Sequence, residues 1–282
     1  MALIRVSFMS AALHRTVPLV VVLPTDKVYF DGKSDRPVDK PYKTLYLLNG
    51  MLGNETDWVA GTRIQRWAED RNLAVVMPAG ENAFYIDHEW SGDLYSQFIG
   101  QELVEFTRKT FPLSHDRADT YIGGLSMGGY GALYNGLKFH DTFSAIVALS
   151  AALKITSGLT DFPKNPKWFA ETRAYWTSVF GPELDHLDAS KYDPEALIKQ
   201  LLARQIPLPN FYIAVGQDDD LLSANQDFDA FLTANQIDHV FEVDPGAHEW
   251  DFWDLHIKRA LDWLPLEKQD AGASSGNVKA DN

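Results

Sequence analysis

The fold is decided by one stretch of this 282-residue chain, Gly123-Gly124-Leu125-Ser126-Met127-Gly128-Gly129-Tyr130-Gly131-Ala132. It follows an apolar run at Thr120–Ile122 and precedes a helix-like segment that extends to about Lys138. A Gly-x-Ser-x-Gly pattern between a strand and a helix is typical of a tight turn that exposes the serine. The glycines allow neighbouring backbone to approach closely. The pattern predicts a nucleophile elbow at Ser126; the alternative is a glycine-rich turn in which Ser126 only caps the helix.

A nucleophilic serine needs a general base, and that base needs an acid to orient it. Behind a nucleophile elbow the acid and then the histidine follow along the chain. Of the eight histidines, only His248 lies in a loop between the last predicted strand and the last predicted helix. The acid is expected among Asp218–Asp220, after the preceding strand. The Gly-x-x-Asp spacing from Gly216 favours Asp219, and Asp218 is the alternative.

Two backbone N–H groups are expected to form an oxyanion hole. One belongs to Met127, because the residue after the nucleophile opens a helix whose N-terminus favours negative charge. The other is expected in the loop Asn49–Asn54, after a predicted strand at Thr44–Leu48. Met51 is the favoured donor in this loop, with Leu52 as the alternative.

The apolar pattern predicts an α/β fold with a mostly parallel, eight-stranded sheet covered by helices on both faces. Strands with continuous apolar runs, separated by helical patterns, are typical of such sheets. The two N-terminal strands are predicted to be antiparallel neighbours. The predicted helices include 62–71, 96–110 and the C-terminal helix before Pro265. The predicted strands are 3–8, 17–23, 44–48, 73–77, 120–122, 143–149, 211–215 and 240–243.

About 60 residues separate the strand at 143–149 from the strand at 210–215, more than one crossover helix needs. The segment is rich in aromatic residues, and loops at the carboxyl ends of strands commonly carry function. We therefore expect a helical lid insertion at about 151–207; a helical insertion that packs on the side is the alternative. A single domain is expected over 1–266. The small and polar residues 267–282 predict a disordered tail.

The charge balance, 25 Lys and Arg against 39 Asp and Glu, gives −14 and argues against nucleic acid or anionic lipid as a partner. The absence of cysteine excludes disulfides, a cysteine nucleophile, thiolate zinc sites and iron–sulfur clusters. No apolar run reaches the 18 residues of a membrane-spanning helix. No basic stretch precedes an apolar one near Met1, so no signal peptide is expected and a cytoplasmic location is predicted.

Metal and cofactor motifs are also missing. A zinc-protease helix would need histidine where Gly92 and Phe252 stand. The aspartates at 218–220 lack the alternating spacing of a calcium loop. We expect neither a metal nor an organic cofactor.

Taken together, these motifs resemble the esterase D family of α/β-hydrolases, in particular its bacterial tributyrin esterases. The resemblance covers about residues 3–265. One departure is Asn49, where family members usually carry histidine. The resemblance rests on Leu-Leu-Asn-Gly-Met-Leu-Gly-Asn (47–54), Asp57-Trp58, Ala83-Phe-Tyr, the stretch around Ser126, Asp219 after Gly216, and Pro-Gly-x-His-x-Trp (245–250).

The resemblance implies a cytoplasmic carboxylesterase acting on short acyl esters, with Ser126, Asp219 and His248 as its triad. S-formylglutathione hydrolases and feruloyl and acetylxylan esterases are relatives, and kinship of fold does not choose among them. The substrate is expected to be a small ester, and a homo-oligomer is compatible with the family. The alternative outside enzymes is an α/β-hydrolase that binds a ligand or a partner without catalysis.

Overall fold

A computed structural model of the chain describes residues 1–28, 40–154, 159, 161–184, 187 and 190–268. Of the predicted tail at 267–282, residues 269–282 lie outside the described residues. The described strands, in chain order, are β1 Ala2–Ser10, β2 Arg15–Leu23, β3 Lys43–Leu48, β4 Leu73–Pro78, β5 Asp87–His88, β6 Asp93–Leu94, β7 Thr120–Leu125, β8 Ala145–Leu149, β9 Asn210–Gly216 and β10 His239–Asp244.

Eight of these strands form one sheet in the order β1-β2-β4-β3-β7-β8-β9-β10, and β5 pairs with β6 in a small hairpin. Strand β2 runs antiparallel to both β1 and β4, which confirms the predicted N-terminal pair. Every other neighbouring pair in the large sheet is parallel. The carboxyl ends of β3, β7, β9 and β10 therefore meet at one edge, where all the predicted site loops begin.

Side chains alternate across the sheet because successive strand residues point to opposite faces. In β3, Leu45 and Leu47 join one buried cluster, while Tyr46 and Leu48 join the other. Both faces are covered by helices, so the strands are apolar throughout, and this confirms the predicted layering. The helices are α1 Asp57–Gly61, α2 Ile64–Glu69, α3 Tyr95–Gln97, α4 Leu103–Thr110, α5 Met127–Lys138, α6 Arg173–Phe180, α7 Pro194–Ala203, α8 Leu222–Ala234 and α9 Trp250–Trp263.

Two predicted helices differ from the structure in detail. The helix predicted over 62–71 is present as the shorter α2, Ile64–Glu69, and α1 ends just before the predicted range, at Gly61. The Thr62 hydroxyl donates to the Trp58 carbonyl and accepts from the Ile64 N–H at 3.1 Å. Such local side-chain bonds compete with the helical ladder and end α1 there. The helix predicted over 96–110 is present, but a π-helical turn at Phe98–Glu102 joins α3 to α4.

The long connection between β8 and β9 contains α6 and α7 in its described part. Trp176 and Phe180 of α6 pack against Phe84. The Tyr130 hydroxyl of α5 donates to the Tyr192 carbonyl at 2.7 Å. The described part of this connection is therefore anchored on α5 and on the segment after β4.

Candidate active site

Ser126 stands in the turn between β7 and α5 with φ 54° and ψ −120°. Positive φ is uncommon for a serine and is maintained only where the surroundings enforce it. The Ser126 N–H donates to the Leu149 carbonyl at 2.9 Å, and its carbonyl accepts from the Ala152 N–H at 3.0 Å. These bonds tie the turn to the end of β8 and hold the strained backbone.

The glycines around Ser126 are required by backbone contacts. A Cβ on Gly124 would overlap the Gly128 carbonyl and lie 2.9 Å from the Leu48 carbonyl oxygen. A Cβ on Gly128 would overlap the Leu48 carbonyl oxygen. The Gly-x-Ser-x-Gly pattern is therefore explained by the close approach of the turn to β3, the strand that leads into the predicted oxyanion loop.

His248 and Asp219 come together at the carboxyl ends of β10 and β9. The Nδ1 atom of His248 lies 3.0 Å from Oδ2 of Asp219. The Asp219 side chain has no exposed surface, whereas 37% of the His248 side chain is exposed. Asp218, the alternative acid, is exposed. The structure thus brings Asp219 to His248 and leaves Asp218 at the surface.

The charge of Asp219 is favoured by hydrogen bonds. Burial alone would raise the pKa of this carboxyl, but the bonds from His248, from the Leu221 N–H and from the Ser150 hydroxyl outweigh burial and lower its pKa. The Leu221 N–H donates to Oδ1 at 2.9 Å. An ionised Asp219 accepts a hydrogen bond from the Nδ1–H group of His248, which leaves the Nε2 atom of His248 without a hydrogen and able to take a proton.

Ser126 and His248 line one open cavity of about 520 Å³. The hydrogen bonds of the described residues include none from the Ser126 hydroxyl, and such bonds are often long before substrate binds. The lining comes from the loop after β3, the end of β7 and the start of α9: Gly50, Met51, Leu52, Gly53, Asp57, Leu125, Ser126, His248, Glu249, Trp250 and Trp253.

The predicted oxyanion donors are the backbone N–H groups of Met127 and of Met51, with Leu52 as the alternative to Met51. Met127 is the first residue of α5, so its N–H has no partner within the helix. In the loop after β3, the Leu52 N–H donates to Oδ1 of Asn82 at 2.7 Å. Within the described part of the chain, the Met51 N–H has no hydrogen-bond acceptor. The loop therefore has Met51 and not Leu52 as its available donor.

Asn49, which stands where the family usually has histidine, is buried and bonded on both sides. Its Oδ1 accepts from the Gly80 N–H at 3.1 Å and from the Tyr85 hydroxyl at 3.0 Å, and its amide donates to the Gly50 carbonyl at 2.8 Å. Burial raises the pKa of Tyr85 far above its ordinary value, so the hydroxyl keeps its proton and remains a donor. Asn49 thus joins the oxyanion loop to the segment after β4.

Several supporting residues were missed by sequence reasoning. Ser150 is fully buried and accepts from the indole Nε1 of Trp253 at 3.1 Å. The Trp253 ring also meets the His248 ring edge-on, with 4.8 Å between centroids. Asn82 holds the oxyanion loop, as described above. None of these residues belongs to a local sequence pattern. Only Ser150 offered a signal, as a serine directly after a predicted strand.

A separate cluster contains side chains of the kinds that bind metal ions: Glu242, Asp244 and His256. Arg259 donates to the carboxylates of both Glu242 and Asp244. Burial lowers the pKa of His256, with the Arg259 charge adding to the effect. The guanidinium thus offsets one of the two carboxylate charges of this cluster, which lies on β10 and α9 outside the cavity at Ser126.

A family model described as "Putative esterase" matches residues 10–264. The chain belongs to the esterase family. An acetyl esterase of Caldicellulosiruptor saccharolyticus is 42% identical over 265 residues, covering 94% of this chain and 98% of that relative.

Two solved structures are also similar to this chain. The substrate-bound structure of FphF, a fluorophosphonate-binding serine hydrolase of Staphylococcus aureus, has 32% identity and a TM-score of 0.81. The apoenzyme of the S-formylglutathione hydrolase FrmB from Staphylococcus aureus has 33% identity and a TM-score of 0.79. Each alignment covers 93% of this chain and 98% of the other. These similarities confirm the α/β-hydrolase fold and the resemblance to the esterase D family, and they identify the chain as a carboxylic ester hydrolase.

Over the described ranges, no helix has both the length and the apolar character that crossing a bilayer requires.

Proposed function

We propose that this esterase hydrolyses short-chain acyl esters through a triad of Ser126, His248 and Asp219 and a covalent acyl-enzyme. The observation that carries the proposal is the buried Asp219 carboxylate, 3.0 Å from Nδ1 of the histidine whose ring lines the cavity at Ser126. A histidine oriented in this way has its other nitrogen available for the serine proton. A buried carboxylate whose pKa is shifted by its partners, beside a cavity, is also a common feature of catalytic sites.

The chemistry follows from the roles of these three side chains. The Ser126 Oγ attacks the ester carbonyl carbon while the Nε2 atom of His248 takes its proton. The carbonyl π-bond opens onto oxygen, and the carbon–oxygen bond to the leaving group then breaks as His248 protonates the departing alkoxide. Water attacks the acyl-enzyme, again giving its proton to His248, and the acid leaves as Ser126 regains a proton. Asp219 stays ionised and stabilises the imidazolium.

The charge that develops on the carbonyl oxygen needs donors that are already in place. The Met51 and Met127 N–H groups are proposed for this role, because neither has an acceptor among the described residues. Removal of one such donor commonly lowers kcat by about 10²–10³-fold. The N-terminus of α5 adds a favourable potential at the same point.

The proposal of short acyl chains rests on the acetyl esterase relative, and the cavity adds an aromatic wall. Trp250 and Trp253 line it together with Met51, and Trp250 packs edge-on against both Trp253 and Trp58. Packed indoles give a rigid wall. The acetyl esterase relative, 42% identical, supports a small acyl group. The lid insertion at 151–207 remains a proposal: described residues of this segment line a second cavity beside Asn82 instead.

A thioester of glutathione is the second substrate considered, because FrmB is an S-formylglutathione hydrolase and is 33% identical. The net charge of −14 gives no electrostatic steering to an anionic glutathione adduct. Asp57 and Glu249 in the lining add negative charge near the site. We therefore favour a neutral ester over the thioester, with feruloyl and acetyl-sugar esters as further members of the test panel.

The test is a panel of p-nitrophenyl esters of increasing acyl length, with methyl ferulate, an acetylated sugar and S-formylglutathione alongside. The expected result is the highest kcat/KM on the acetyl or butyryl ester, with a loss of at least about 10³-fold in Ser126→Ala. Activity highest on the thioester would contradict the substrate class. Turnover on no member, or a fully active Ser126→Ala variant, would contradict the mechanism and favour a binding protein without catalysis.

A further inference from the structure

The residue after the proposed loop donor has an unusual backbone. Leu52 has φ 69°, in the left-handed region that residues with a Cβ rarely adopt. Its side chain is 72% exposed, so packing of that side chain does not hold the loop in place. A conformation of this kind persists where other contacts enforce it.

Two bonds restrain this loop: the Gly53 N–H donates to the Gly50 carbonyl at 3.3 Å, and a second bond reaches a residue 30 positions further along the chain. The Leu52 N–H donates to Oδ1 of Asn82 at 2.7 Å, in an exposed contact that bridges two loops. This bond fixes the peptide plane of Leu52. The Leu52 N–H belongs to the peptide that joins Met51 to Leu52, and the Met51 N–H lies in the peptide before it, across the Met51 Cα. Fixing the later plane therefore restrains the Met51 backbone and, through it, the direction of the Met51 N–H.

Asn82 is itself held from the other side. It has φ 57°, which asparagine tolerates better than most residues, and the adjacent Glu81 has φ 46°. The Asn82 carbonyl accepts from the Tyr175 hydroxyl of α6 at 2.8 Å. Burial raises the pKa of Tyr175, so this hydroxyl remains a donor throughout the neutral range.

We propose that Asn82 is a positioning residue that aims the Met51 N–H at the oxyanion, and that Tyr175 holds Asn82 in place. The inference rests on the proposed function of the Ser126 site. Because the oxyanion exists only in the transition state and the tetrahedral intermediate, a misdirected donor lowers kcat and leaves ground-state binding nearly unchanged. The segment between β8 and β9 would thus contribute to catalysis through one hydroxyl, without touching the substrate.

The kinetic test uses Asn82→Ala and Tyr175→Phe, with Asn235→Ala as the matched control. Asn235 is an exposed residue at the end of α8 whose amide donates to the Phe231 carbonyl at 2.8 Å, so its truncation also removes one side-chain bond to backbone. All rates are normalised to active sites titrated with a fluorophosphonate. Asn82→Ala should lower kcat on p-nitrophenyl acetate about tenfold or more and change KM less than about twofold.

A second measurement distinguishes a misdirected Met51 N–H from a general loss of folded enzyme. A trifluoromethyl ketone forms a tetrahedral adduct that needs the oxyanion donors, so its inhibition constant should rise in parallel with the loss of kcat. Tyr175→Phe should show a smaller loss of the same kind, about two- to fivefold, and Asn235→Ala should match the parent enzyme. Asn82→Ala with parental kcat and inhibition constant, or with a change in KM alone, would overturn the proposal.

The third readout needs no catalysis. Hydrogen exchange of the Leu52 amide, followed by NMR, should be at least about tenfold faster in Asn82→Ala than in the parent. Unchanged exchange of the Leu52 amide would overturn the positioning role even if activity fell. If Asn82→Ala is too unstable for kinetics but Tyr175→Phe folds, the exchange of the Leu52 amide in Tyr175→Phe decides the case. A parent without activity on any ester would instead refute the proposed function, while the exchange result would still report on Asn82.

Discussion

Gly216 and Gly246 lie so close that a Cβ on Gly216 would overlap the carbonyl oxygen of Gly246. The same carbonyl accepts from the Asp218 N–H at 2.9 Å. The loop that carries Asp219 and the loop that carries His248 are thus joined backbone to backbone. The distance between the acid and the base is set by this contact as well as by their own hydrogen bond.

Gly216→Ala should therefore separate the two loops. The added methyl group must displace the Gly246 backbone, and a misplacement of about 1 Å can cost on the order of 10²-fold in rate. We expect kcat per active site to fall about 10- to 100-fold. Gln217→Ala is the control, because Gln217 is the exposed neighbour in the same loop. Parental kcat in Gly216→Ala would show that the loop contact does not align the triad.

Asp219 should also contribute to stability in a pH-dependent way. Its pKa is lowered in the folded protein, so its contribution is present above the unfolded value of about 3.9 and is lost as the pH falls through the lower folded value. The difference in melting temperature between the parent and Asp219→Asn should be large at about pH 5 and shrink toward about pH 3. Asp218→Asn, at an exposed position, provides the comparison. A difference that grew in acid would contradict the lowered pKa.

Removal of the single hydroxyl oxygen of Ser150 should lower the free energy of unfolding. Ser150→Ala removes the acceptor of the Trp253 indole N–H, which is left unpaired in a buried site, and also removes the hydroxyl that bonds Asp219. We expect a loss of about 1–3 kcal/mol in the free energy of unfolding, measured by urea denaturation. Ser178→Ala, at an exposed position on α6, should cost less than about 0.5 kcal/mol. Equal losses in the two variants would show that the buried hydrogen bond of Ser150 contributes no more to the free energy of unfolding than an exposed serine hydroxyl does.

The parts of the site that sequence reasoning predicted are those with a local pattern or a fixed order along the chain. Ser126 was predicted because strand, glycines and helix surround it within ten residues. His248 and Asp219 followed from the order of elements, since parallel strands bring their carboxyl ends to one edge. Exposure then separated Asp219 from Asp218, and spacing alone could only favour one of them.

The remaining features depend on contacts between distant segments. The bond from Leu52 to Asn82 and the bond from Trp253 to Ser150 join residues 30 and 103 positions apart. No periodicity encodes such pairs. The start of the predicted helix was misplaced by two residues, because the Thr62 hydroxyl bonds the Trp58 carbonyl and the Ile64 N–H and α2 begins only at Ile64.

The central claim, a triad of Ser126, His248 and Asp219, is tested most directly by the rate constant for labelling by a fluorophosphonate, followed by intact mass and peptide mapping. We predict one adduct on Ser126 in the parent and none in Ser126→Ala. Labelling should be slower by at least about 10²-fold in His248→Ala and Asp219→Asn and unchanged in Asp218→Asn. An adduct on another residue, or equal slowing in Asp218→Asn and Asp219→Asn, would contradict the account.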